Sequence, residues 1–170
     1  MGELQSFYQS ILNIRQQDKR EIINRIVLDE RDQLLNQVKD MAGFCKVIAS
    51  QIEDRLRKEN ICVYWLDLNS IVEVDHVVLI AEYRYNQEVK RFLIDPTYWQ
   101  FVHQDNHRLL KFSQWPSDRL DKEILEDLLQ WGMTELNDNK FLNYLNSFGG
   151  VCQEISLDDY LLDNRINRKR

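Results

Sequence analysis

The stretch "HVVLIAEYRYNQEVKRFLIDP", residues 76 to 96, constrains this chain more than any other. Its first half is apolar almost without a break until Glu82, as a buried strand is. "NQE" reads as a turn, and "VKRFLID" reads as a second strand that Pro96 stops. Just upstream, "ICVYWLDL" is rich in β-branched and aromatic residues and predicts another strand. About three antiparallel strands therefore occupy the middle of the chain.

Helical spacing surrounds them. "LQSFYQSILNIRQQ" and "KREIINRIVLDERDQLLNQVKDM", within residues 4 to 39, carry apolar residues three and four apart. Asp18 is placed to cap the second of these, with Glu21 as its capping-box partner. After "AGF" a helix is expected from Cys45 to Glu59, with Val47, Ile48, Ile52 and Leu56 on one face. Residues 97 to 117 are aromatic-rich and irregular. Helical spacing returns at 119 to 131 and 134 to 147, "FGG" breaks it, and "SLDDYLLDN" predicts a short last helix capped by Ser156. The layout is α+β, with a Cys-bearing central helix packed on a small antiparallel sheet between N- and C-terminal helices. A chain of 170 residues fits one domain. Its parts are N-terminal helices over 1–40, a core over 41–101 and a C-terminal helical part over 102–170.

Three chemically capable residues sit at element ends. Cys45 opens the central helix, His76 starts the second strand, and Asp95 ends the third. The spacings are 31 and 19 residues. A thiolate is a strong nucleophile, and a helix N-terminus stabilises it through free N–H groups and the dipole. An imidazole takes the proton and returns it to the leaving group. A carboxylate on the other ring nitrogen fixes tautomer and orientation. If Arg84–Gln87 closes the hairpin, Tyr83 faces Glu88, and counting back pairs His76 directly with Asp95 on one face. A slip of one residue would separate them.

The order Cys, His, Asp on helix, strand, strand, with "GFC", "DHVV" and "IDPTYWQF", resembles the papain-like and transglutaminase-like superfamily of cysteine enzymes over about residues 40 to 101. That superfamily includes transglutaminases, arylamine N-acetyltransferases, peptidases and glutamine deamidases of bacterial effectors and toxins. The resemblance implies Cys45 as nucleophile, His76 as base and Asp95 as orienting residue. It is nearest to the deamidase-type effector domains, which implies a protein-glutamine deamidase. A cysteine peptidase is the first alternative, and a non-catalytic protein-binding module on the same fold the second. An acyl-CoA-dependent transferase lacks support, since no glycine loop is present to cradle phosphate. Papain-type enzymes carry an oxyanion-binding glutamine shortly before the cysteine. Here the nearest is Gln37, eight residues upstream, so the Cys45 N–H is the default donor and the second is open.

Each residue also has a structural reading. A lone cysteine such as Cys45 is usually packing, and Cys62 and Cys152 read as core. Tyr98 and Trp99, just after Asp95, are the best candidates to line a substrate groove, while Trp65, Trp115 and Trp131 read as packing. His103 and His107 have i, i+4 spacing but no metal motif around them. "DLNSIVEVD" lacks the glycine of a calcium loop. No cofactor and no metal are expected.

Composition narrows the partners. Net charge is −6, which argues against nucleic acid, and the basic "NRINRKR" reads as a tail. A protein substrate is expected, with no membrane span, because no apolar run approaches about 18 residues. "MGELQS" fits the myristoylation pattern only formally, with an acidic residue right after the glycine. Three cysteines without a disulfide or zinc pattern, and an N-terminus unlike a classical secretory signal, suggest a cytosolic working environment, including that of a cell into which the protein is delivered. Oligomeric state is not legible.

Overall fold

The computed structural model describes residues 2–15, 18–39, 43–102, 115–149 and 156–167, without the side chains of 9–15 and 163–167. Among the described residues the chain is α+β. Helices α1 (Gly2–Arg15), α2 (Arg20–Gln37) and α3 (Cys45–Lys58) lead into β1 (Cys62–Asp67), the short α4 (Asn69–Val72), β2 (Val77–Tyr85) and β3 (Glu88–Ile94). A 3₁₀ turn (Tyr98–Phe101) follows. Then come α5 (Pro116–Arg119), α6 (Lys122–Trp131), β4 (Met133–Glu135), α7 (Asp138–Asn146) and α8 (Leu157–Asn167). The strands form one antiparallel sheet in the order β1-β2-β3-β4.

Side chains alternate across that sheet, as the pleat requires. Val63, Val77, Leu79, Ala81, Phe92 and Ile94 pack on α2 and α3, while Tyr64, Leu66, Val78, Ile80 and Leu93 face the opposite core. The hairpin turn differs from the sequence expectation. Asn86 and Gln87, at φ 50° and 66°, are its two central residues, as a primed two-residue turn demands. Tyr85 therefore faces Glu88 and Leu79 faces Ile94. The register is displaced by two residues from the one that pairs His76 with Asp95. A two-residue displacement preserves the face.

Helix α3 buries Cys45, Ile48, Ala49, Ile52 and Leu56, at intervals of 3, 4, 7 and 11 from Cys45. Val47 is not on that stripe; it is exposed, and Cys45 takes its expected place. In α2 the stripe is Ile23, Ile26, Val27, Glu30 and Leu34. Glu30 is buried because Arg55 of α3 donates to it at 3.0 Å while also reaching Asp29 at 3.2 Å. Asp18 is not the α2 cap, since Lys19 holds that position. The Asp18 carboxylate instead accepts from the Arg20 N–H and from the Tyr83 hydroxyl, tying the helix entry to β2.

Strand β4 replaces the first residues of the expected 134–147 helix. It is only three residues long, too short for alternation to announce it. Gly132 lets it form. At φ +70°, a Cβ here would come within 3.0 Å of Val27 and 3.2 Å of Pro96. Glycine both ends α6 and lets the backbone approach Pro96. Cys62 is exposed, not core, because it opens β1 on the sheet edge with its side chain outside the alternating buried set. None of the four tryptophans is fully buried. No helix among the described residues is long and apolar enough to cross a membrane.

Candidate active site

Cys45 is the first residue of α3. Phe44 precedes it with no side-chain cap, and no acidic residue lies in the first turn. The amides and dipole of that turn are thus available to an anion at Cys45. His76 is held just before β2. Its N–H donates to Val74 O at 2.8 Å and its carbonyl accepts from Leu68 N at 2.9 Å. Asp95 directly follows β3, and its N–H donates to Gly132 O at 2.9 Å. Helix start, β2 start and β3 end converge at one end of the sheet.

His76 Nε2 and Asp95 Oδ1 are 2.8 Å apart, and both residues are buried. His76 also makes a hydrogen bond with the Cys45 side chain. Burial pushes the Cys45 thiol up. Hydrogen bonds from His76 and from the Val77 N–H, with the His76 charge, outweigh that and hold it below its ordinary value, although the Asp95 charge opposes them. Burial likewise works against charging His76. The Asp95 charge and hydrogen bond, and then Cys45, overcome it and raise His76 to about 9. Both directions favour a thiolate–imidazolium pair, which titrates as a unit.

Two further residues complete the array, neither singled out by its sequence context. Tyr144 of α7 donates its hydroxyl to Asp95 Oδ2 at 2.6 Å from a fully buried position. Burial first, and then the Asp95 charge, push this phenol well above its ordinary value, so it remains a donor. Asp95 is thus gripped at both oxygens and at its backbone. Gln100 places Nε2 at 3.4 Å from His76 Nδ1 and anchors the same group on Thr97 O at 3.1 Å and Thr97 Oγ1 at 3.2 Å. Phe101 meets the imidazole edge-on at 4.8 Å between centroids. The sequence signal for Tyr144 was faint: it is one polar-tipped aromatic on an amphipathic helix, 49 residues from its partner.

The groove candidates part company. Trp99 is 37 % exposed, whereas Tyr98 is fully buried, tilted against Phe101 and Tyr144. Tyr98 thus supports the floor beneath Asp95 and lines no surface. Cys45 itself is 8 % exposed. Beside it, an apolar seam between α3, Val77, Ile94 and Pro96 is too narrow for a water molecule. His103, His107 and Cys152 lie outside the described residues. Among the described residues, no group of three or more His, Cys, Asp and Glu side chains is placed to hold a metal ion. No family model, curated protein or solved structure matches the chain.

Proposed function

We propose that this chain is a cofactor-free cysteine hydrolase or acyl-transferase, acting on a protein carboxamide or peptide carbonyl through Cys45, His76 and Asp95 in a papain-like or transglutaminase-like arrangement. The observation that carries the reading is the buried chain of contacts from the Cys45 thiol through His76 to Asp95, with the thiol held low and the imidazole held high. The Cys45 sulfur attacks the carbonyl carbon, forming a C–S bond. His76 gives its proton to the departing nitrogen as the C–N bond breaks, leaving a thioester. Water, deprotonated by His76, then attacks the thioester, and the acid departs as the thiolate reforms. Asp95 keeps the imidazole in one orientation throughout, and Tyr144 keeps Asp95. Within this class we favour deamidation of a protein glutamine, as in effector and toxin domains, over peptide cleavage. A non-catalytic protein-binding module is the second reading, and the near-closure of the surface over Cys45 favours it.

The test is the thiolate itself, measured in a Cys62→Ser/Cys152→Ser background. Ultraviolet absorbance of the thiolate and iodoacetamide alkylation followed by intact mass are recorded against pH. The expected result is one thiolate titrating well below an ordinary thiol, about pH 8.5, absent in Cys45→Ala and shifted upward in His76→Ala. A titration at the ordinary value removes the catalytic reading and leaves the binding module. Given the expected result, incubation with candidate proteins separates deamidation, seen as ammonia release, from chain cleavage.

A further inference from the structure

Gln100, in the 3₁₀ turn, is buried and reaches the ring nitrogen of His76 that does not face Asp95. Which end of its amide meets the ring follows from the other partners of that end, Thr97 O at 3.1 Å and Thr97 Oγ1 at 3.2 Å. A backbone carbonyl only accepts, so this end is the NH₂ group and not the oxygen. One hydrogen goes to Thr97, which leaves the other for His76 Nδ1 at 3.4 Å. That N–H has a partner on the ring only while Nδ1 carries a lone pair. On the far side, Asp95 Oδ1 accepts the proton of Nε2 at 2.8 Å. Both neighbours therefore select the same neutral tautomer, protonated on Nε2. On charge they oppose each other: the carboxylate favours the imidazolium, whereas a donor to Nδ1 favours the neutral ring.

We infer that Gln100 is a positioning residue that keeps His76 Nδ1 an acceptor, so that the imidazole can act as a base once Cys45 is acylated. Its role rests on the reading of Cys45, His76 and Asp95 proposed above. In the thioester the sulfur carries no negative charge. Asp95 then favours a ring protonated at both nitrogens, which cannot take a proton from water. Donation from Gln100 works against that and holds the lone pair in place. When the ring does carry its second proton, the Gln100 NH₂ still has Thr97 O and Thr97 Oγ1, so no buried donor is stranded. Among the described residues, the groups acting on the charge of the ring are Asp95 and Cys45, with Tyr144 and Tyr98 beside Asp95.

The test is nitrogen NMR of the imidazole in the full chain carrying Cys45→Ala, which holds the site without a thiolate; His76 is assigned by the signals lost in His76→Asn. The neutral ring should carry its proton on Nε2. One Gln100 carboxamide proton should move upfield as pH falls through the His76 titration. Gln100→Leu should raise that titration by about half a pH unit, as the loss of one weak neutral hydrogen bond does. Gln100→Met, closer in length, should do the same. A Gln100 that only braces the turn would lower stability when replaced and leave the His76 titration where it is. A neutral ring protonated on Nδ1, a Gln100 carboxamide indifferent to the His76 titration, or an unmoved or lowered titration in a folded variant overturns the role. Where neither variant folds, the tautomer and the carboxamide proton decide. The catalytic reading fails separately, through an ordinary titration of the wild-type Cys45 thiol, which this chain lacks.

Discussion

On one face of the sheet, α2 and α3 lay down Ile23, Ile26, Val27, Ile48, Ile52 and Leu56 against Val63 and Leu79, a mainly aliphatic core in which Tyr83 and Phe92 are the buried aromatic residues. On the other, the 3₁₀ turn, α7 and α8 lay down Tyr98, Phe101, Phe141, Tyr144 and Tyr160 against Tyr64 and Ile80. The candidate site is divided between them. The aliphatic face delivers the Cys45 thiol on α3. The aromatic face holds His76 and Asp95 through Phe101 and Tyr144. Aliphatic side chains offer no polar tips, whereas tyrosine pairs an apolar body with a hydroxyl that can grip a buried carboxylate. The two cores thus do different work: one places the Cys45 thiol, the other holds the His76–Asp95 pair.

The sharpest challenge to this division is Phe141→Ala. Removing a fully buried ring from the aromatic face should cost about 3–5 kcal/mol in urea denaturation. It should also disturb the thiolate titration through Tyr144 on the same helix. An unchanged titration would break the link between that core and the site.

Proton linkage comes next. His76 is raised to about 9, so alone it contributes stability that is full below its unfolded value of about 6.5 and lost as pH rises through about 9. Cys45 is lowered, so its contribution is present above its unfolded value and lost as pH falls through the folded one. A thiolate–imidazolium pair binds as many protons as a neutral thiol and neutral imidazole. Wild-type stability should therefore be nearly flat between about pH 6.5 and 8.5. Cys45→Ala should lose stability with rising pH in that window, by at most about 1.4 kcal/mol per pH unit. Parallel curves would show that the two groups do not share charge.

Tyr144→Phe leaves Asp95 Oδ2 buried without its donor and should cost about 1–3 kcal/mol, with a change in the His76 imidazole titration followed by NMR. Gly132→Ala forces a side chain into left-handed backbone against Pro96 and should cost about 1–2 kcal/mol in thermal denaturation. The smallest effect is expected for Ile52→Val on the aliphatic face, about 0.5–1.5 kcal/mol, with the thiolate titration untouched. A shifted titration there would mean the aliphatic core also tunes the site.

The α+β layout was legible because the strands around residues 62 to 94 and the helix stripes of α2 and α3 each repeat their period several times. So was the convergence of Cys45, His76 and Asp95, since each sits where one element gives way to another. The hairpin register lies two residues from the sequence expectation, because Asn86 and Gln87 adopt positive φ without the glycine that signals such a turn. The displacement was even, so His76 and Asp95 stayed on one face. Tyr144 was not legible, because a contact across 49 residues depends on how α7 docks, which no local pattern encodes. Apolar character predicts Cys62 and Val47 inside, whereas position in the strand or helix turn decides which way a side chain faces, and both are exposed.

The hydrogen bond from the Asp95 N–H to Gly132 O has a kinetic meaning. Gly132 is itself the last link of α6, its N–H bonded to Leu128 O at 2.9 Å. The backbone at Asp95 is therefore moored to the α6–β4 junction as well as to the hairpin whose strand it extends. Helix ends open more often than the middle of a sheet. The Asp95 amide should therefore exchange with solvent in step with Gly132, ahead of Leu79, Ile80 and Ala81 in the centre of the sheet.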